Sequence, residues 1–247
     1  MYRIFLTFLR PPFFLLAIAL LYYGFAQAGP VTVTNSTNTY NAYVLAAGYK
    51  VEHRAQGVNS TTLCDGLLCA NLWLGQTFAE FGGNNQSRGN EVDFAAQYTS
   101  NTGKVAIFTE YAFYVRMATG ATDLHSAILK ATLPLGHGWG LYTKGQFLVT
   151  ASQGGDLPYG GLVTFTGLTK DLSWKNLSCQ LVAEAVHDGG VAGDEVGWLG
   201  RFGVSPSFGF TDRLSLDLGL QRFQQLDVSD RGNHWVTNAG ITWHIKK

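Results

Sequence analysis

The chain has 247 residues, with 17 Lys and Arg against 17 Asp and Glu, so it carries no net charge and no basic field that would attract nucleic acid. Only 14% of residues are charged and 13% are aromatic, against roughly 25% charged in a typical soluble domain; that balance suits a surface that meets lipid. Beyond the N-terminal region no apolar run approaches about 18 residues, which excludes a bundle of membrane-spanning helices.

Residues 1–28 read as a cleaved signal peptide. Arg3 and Arg10 supply a basic start, Phe13–Tyr23 is a short apolar run, and Ala26-Gln27-Ala28 fits a small-residue cleavage site. An uncleaved anchor helix is the weaker alternative, because Pro11 and Pro12 shorten the usable helix. Residues 29–40, GPVTVTNSTNTY, read as a polar periplasmic lead-in, and 41–247 as the folded domain.

From residue 41 the chain divides into strand-like stretches: 41–53, 57–64, 68–81, 90–99, 104–116, 122–133, 139–151, 159–169, 174–187, 197–210, 213–225 and 234–246. Their connections alternate in length. CDGL (64–67), SNTG (100–103), PLGHG (134–138), TKDLSW (169–174) and TDR (211–213) are tight. EFGGNNQSRGN (80–90), RMATGATD (116–123), SQGGDLPYGG (152–161), HDGGVAGDEVG (187–197) and LDVSDRGNH (226–234) are long. Arg54–Gly57 breaks the rule, being short where a long connection is expected. Short turns at one end and long loops at the other mark an antiparallel outer-membrane barrel, and twelve is an even number, as single-chain bacterial barrels require.

Side chains on a strand alternate faces. In 213–221, Leu214, Leu216, Leu218 and Leu220 oppose Ser215, Asp217, Gly219 and Gln221. In 104–116, Val105, Ile107, Tyr111 and Phe113 oppose Lys104, Glu110, Tyr114 and Arg116. Segments of about 9 to 13 residues exceed the usual soluble strand of about 5 to 6 and match the roughly 9–11 needed to cross a bilayer. Tyr43, Trp73, Tyr98, Trp198, Phe210, Trp235 and Trp243 lie near segment ends, where aromatic girdles belong. Pro206 requires a local bulge near the 211–213 turn.

The same parity assigns an inward set of charges: Lys50, Glu52, Arg54, Glu80, Glu91, Asp93, Glu110, Arg116, Lys130, Lys144, Glu184, Arg201 and Asp217. They either seal the bore by pairing with one another or line a narrow polar channel; the channel is favoured, because paired charges leave room for water. Cys64 and Cys69 flank a tight turn and form either a disulfide or two free thiols, and Cys179 sits on an outward face as a small apolar filler.

Signs of catalysis are weak. His125 and Ser126 are adjacent, so on a strand they point to opposite faces. His187, Asp188, Asp194 and Glu195 gather around one long loop and read as solvated charges rather than a cation site. No metal-ligand spacing or phosphate-binding motif occurs, so no cofactor is expected. Four N-x-[ST] sequons stand at Asn35, Asn59, Asn85 and Asn176.

The stretch 69–116, CANLWLGQTFAEFGGNNQSRGNEVDFAAQYTSNTGKVAIFTEYAFYVR, resembles the small porins of Gram-negative outer membranes, the TorF-like group, and GYKVEHRAQGV (48–58) is similar to that group's first strand. The resemblance implies a signal peptide, a barrel placed in the bacterial outer membrane by the barrel assembly machinery, and passive diffusion of small solutes. It supplies no catalytic residues. Such barrels usually end on an aromatic residue, whereas this chain ends Trp243-His244-Ile245-Lys246-Lys247. The sequence therefore predicts an all-β, non-enzymatic, porin-like channel in outer-membrane lipid. The alternatives are a barrel enzyme and a plugged structural or adhesive barrel.

Overall fold

The computed structural model describes residues 31–41, 43–44, 50–52, 55–77, 91–116, 123–150, 160–191, 196–227 and 233–246. The expected signal peptide lies outside them. The strands in chain order are β1 (Thr32–Tyr40), β2 (Tyr43–Val44), β3 (Lys50–Glu52), β4 (Gln56–Asp65), β5 (Leu68–Thr77), β6 (Glu91–Thr102), β7 (Val105–Arg116), β8 (Leu124–Gly136), β9 (Trp139–Thr150), β10 (Gly161–Trp174), β11 (Leu177–Asp188), β12 (Gly197–Thr211), β13 (Leu214–Gln225) and β14 (His234–Lys246). Twelve of them close into one antiparallel barrel, in which β1 joins β14 on one side and β4 on the other; β2 and β3 pair only with each other. Closure satisfies every strand edge, which a sheet in lipid requires.

The first strand corrects the sequence reading. Thr32–Tyr40, expected as a lead-in, is part of the wall, and within 41–53, expected as the first strand, the described residues hold the short β2 and β3, which pair with each other and not with the wall. The reason is chemical: TVTNSTNTY is polar on both faces and gives no alternation. The shift also removes the one exception in loop length. Residues 41–55 now form a long connection between β1 and β4, while every tight connection has two residues: 66–67, 103–104, 137–138, 175–176 and 212–213. Thr32 faces Lys246, so both ends of the barrel lie at the tight-turn end.

The turn expected at 169–174 lies instead at 175–176, and β10 runs on to Trp174. This turn contains no glycine; Lys175 takes a φ of 55°, a left-handed conformation uncommon for a residue with a Cβ. The strand containing Pro206 continues, and its register with β13 shifts between Gly209 and Thr211.

The outward face is apolar and exposed, as at Leu129 (58%), Phe147 (51%) and Phe202 (53%). Trp139, Trp174, Phe210 and Trp243 ring the tight-turn end, and Trp198 and Trp235 the loop end. Basic side chains lie over some of these rings: Lys170 5.2 Å from the Trp139 centroid, Lys175 5.1 Å from Trp174 and Arg222 5.1 Å from Trp235. A cation on a long apolar stem can thus lie along the barrel and place its head at the lipid–water boundary. Trp73 does not belong to a girdle. It shares the inward parity of Asn71 and faces Asp93 across β5–β6, and its ring covers Gly75, where a Cβ would come within 2.4 Å of it. Tyr43 has a side chain outside the described set.

Candidate functional site: the barrel interior

Inward and outward faces follow from register, because directly paired residues share a face. By that rule Glu91, Asp93, Glu110, Arg116, Lys130, Lys144, Glu184, Arg201 and Asp217 all point into the bore. Lys50, Glu52, Arg54 and Glu80 lie outside the residues whose side chains are described. Cys64 and Cys69 face each other across the β4–β5 turn and are joined as a disulfide, while Cys179 faces outward as a free thiol.

The interior charges are segregated around the wall. Glu91 and Asp93 on β6 and Glu110 on β7 form an acidic side. Gln97 donates to Glu110 at 2.6 Å, and Arg116 stands opposite Glu91 in register. Lys130 on β8 and Lys144 on β9 are register partners and form a basic side. Lys130 lies 4.6 Å from the centre of the Tyr142 ring and Lys144 3.5 Å from that of Phe165, so each ammonium rests on an aromatic face.

Beyond the basic side one lateral row runs Tyr142, Gly167, Glu184, Arg201 across β9 to β12. The Tyr142 hydroxyl donates to Glu184, whose carboxylate also pairs with Arg201. Gly167 permits this: a Cβ there would approach the Glu184 Cβ to 2.6 Å and the Tyr142 ring to 3.0 Å. The Glu184 side chain is fully buried, while Arg201 retains 23% exposure. Further round the wall, Asp217 accepts hydrogen bonds from the hydroxyls of Ser207, Ser215 and Thr242.

The bore changes along its length. Toward the tight turns, inward residues such as Thr99, Asn101, Asp171, Ser173, Gln180 and Ser205 are exposed to solvent. Toward the long loops the inward face is buried, and Leu148, Val163, Phe165, Val186 and Leu199 pack with Val191 into an apolar cluster. Val191 comes from the β11–β12 connection. It is held by fully buried Asp188, which accepts the Gly190 and Val191 amides at 3.0 and 2.9 Å. Asp188 is thus a structural cap, while its neighbour His187 points outward with its ring 4.8 Å from that of Trp198; Asp194 and Glu195 lie outside the described residues. Just ahead of β8, Asp123 accepts the Arg116 amide at 3.0 Å, and burial holds its carboxyl above the ordinary carboxylate range.

His125 and Ser126 diverge as the strand requires. His125 is on the outward parity, bonded to the Tyr111 hydroxyl at 2.7 Å, and Ser126 is fully buried inside, accepting from Gln146 at 3.1 Å. Among the described residues no group of three His, Cys, Asp or Glu is placed to hold a metal ion. The apolar cluster and the Tyr142 row were missed from sequence. Tyr142, the partner of two expected charges, could have been found by parity, since it lies two residues from Lys144.

No protein-family model matches the sequence, and no curated protein matches it. Solved structures do match its fold. A KdgM porin, also solved in complex with disordered oligogalacturonate, superposes with a TM-score of 0.54 at 6% identity, covering 86% of this chain and 98% of its own. A NanC porin does so with 0.56 at 8%, covering 86% and 98%. An outer membrane channel from Pseudomonas putida F1 reaches 0.56 at 13%, covering 88% and 96%. At these identities the likeness is one of fold: a closed twelve-stranded barrel of the outer-membrane porin kind.

Proposed function

We propose that the chain is an outer-membrane channel through which small hydrophilic solutes diffuse passively, without coupling to an energy source. One observation carries this reading: the wall is inverted relative to a soluble protein, with apolar side chains outside and charged or hydroxyl side chains inside, and the inward face is wet over the tight-turn half. Solutes would pass along a mixed-charge wall in which the Glu91–Asp93–Glu110 group adjoins the Lys130–Lys144 group. The separation of His125 from Ser126 supports a non-enzymatic barrel. The narrower membership in the TorF-like small porins rests on the likeness over 69–116.

The apolar cluster around Phe165 and Val191 favours a second reading, a bore closed at its loop end. Conductance separates the two. Residues 29–247, refolded into a planar bilayer, are expected to give stable discrete current steps. A folded, heat-modifiable barrel that gives no steps would overturn the open channel and leave the plugged barrel.

A further inference from the structure

Five neutral polar residues interrupt the lipid face at one place. On β1, Asn35, Thr37 and Thr39 point outward; on β4, Asn59 and Thr61 do. Asn35 Nδ2 donates to Thr61 Oγ1 at 2.8 Å and Asn59 Nδ2 to Thr37 Oγ1 at 3.0 Å, and the two amides bond each other at 3.4 and 3.5 Å. The sequons Asn35-Ser36-Thr37 and Asn59-Ser60-Thr61 are this ladder seen in one dimension, since residues two apart share a face.

Asn35 and Asn59 are the only asparagines facing outward from the described strands. Threonine elsewhere on the lipid face is handled differently: Thr143 turns its hydroxyl back to the Phe165 carbonyl at 3.2 Å. The ladder runs inward from one girdle: Asn35 is the register partner of Trp243, Thr37 of Ile241 and Thr39 of Ala239, midway along β14. Thr37, Asn59 and Thr39 lie on the bilayer side of that girdle, beyond a water-soluble partner, and the absence of charge in the ladder gives an ionic headgroup nothing to pair with. Each amide can make four hydrogen bonds and each hydroxyl three, so capacity remains after the internal contacts, and hydrocarbon cannot meet it. The amide hydrogens are used within the ladder, but the threonine hydroxyls keep donors and the amide and hydroxyl oxygens keep acceptors, so the surface offers both and is complementary to itself.

We infer that the β1–β4 seam is a self-association surface, on which a second copy of this chain docks about a two-fold axis along the membrane normal. An isologous contact places ladder against ladder and exchanges the leftover bonding capacity between barrels, as polar residues do between transmembrane helices.

The test measures mass, not current, so it is independent of the channel proposal. Sedimentation equilibrium in density-matched detergent should give a protein mass of two chains, falling to one for Asn35→Leu with Asn59→Leu. The heat-modifiable gel shift verifies that this variant is folded. In a Cys179→Ala background, Thr37→Cys should form a disulfide-linked dimer on mild oxidation in membranes, and Leu168→Cys, outward on β10, should not. A one-chain mass for the parent protein across the concentration range would overturn the inference. So would a two-chain mass that survives in the leucine variant, or cross-linking through Leu168→Cys but not Thr37→Cys, since either places the contact elsewhere. A Thr37→Cys adduct to a different membrane protein in place of the dimer would overturn the choice of occupant.

Discussion

Removing Arg201 tests how dry the bore is at the Glu184 row. The Glu184 side chain has no exposed surface and takes its bonds from Arg201 and the Tyr142 hydroxyl. In Arg201→Ala the carboxylate stays buried with only the phenol, and breaking one partner of a buried pair costs about 3–5 kcal/mol. Glu184→Gln is the milder change. Glutamine still offers Tyr142 an acceptor, and Arg201, 23% exposed, keeps some hydration, so the expected loss is about 1–2 kcal/mol. Urea titration of the refolded barrel, followed by tryptophan fluorescence in lipid vesicles, reads both. With a slope of about 2 kcal/mol per molar, the arginine variant should lose about 2 M in midpoint and the glutamine variant about 0.5–1 M. The double variant should be more stable than Arg201→Ala alone, because no buried charge is left behind. Equal losses in the two single variants, within about 0.5 kcal/mol, would refute the reasoning: Glu184 would then be solvated from the bore.

Four other outcomes are expected. In membranes, Asp217→Cys should react with a water-soluble thiol reagent and Leu216→Cys should not; the reverse would overturn the face assignment across β13. Leu168→Arg, halfway along the outward side of β10, should cost about 2–4 kcal/mol in the same urea titration, the penalty for a cation at the bilayer midplane; a neutral result would place that face in water. Gly167→Ala should lose about 1–3 kcal/mol by overpacking, because its Cβ would collide with Glu184 and Tyr142; an unchanged midpoint would mean that the row has room to spare. Replacing Cys64 and Cys69 with serine opens a very short loop and should lower stability by about 2 kcal/mol on the chain-entropy account, a loss that reducing agent should reproduce in the parent protein.

The legible parts of the chain were those where the two strand faces differ. In β13 four leucines alternate with serine, aspartate, glycine and glutamine, so strand, face and Asp217 all followed from period two. In β1 both faces are polar, so no period exists to find, and the wall was started one strand late. The missed turn at 175–176 carries neither glycine nor proline; its left-handed Lys175 is set by the hairpin it closes. Inward charges were readable because lipid disfavours charge on the outer face away from the girdles, where Lys170 and Arg222 lie. The cluster of Val163, Phe165 and Val186 was not, because β10 places leucine outward and valine and phenylalanine inward, and apolar residues on both faces erase parity. Trp73 was misjudged by its position near a strand end, although Leu72 and Leu74 on either side already marked the lipid face.

The pairing of β1 with β14 has a kinetic meaning. Every other contact joins strands that follow one another in the wall, with β2 and β3 set aside between β1 and β4, whereas this one joins Thr32 to Lys246, at the two ends of the wall. Until the last strand exists, the sheet has two open margins, each a row of amides and carbonyls seeking partners. Water tolerates those margins and hydrocarbon does not. The hairpins can therefore form early and independently, while entry into the bilayer must wait for the ends to meet. For a barrel entering lipid, burial and closure of the ring would then be one event, and the pairing that completes it is the one of longest sequence separation in the wall.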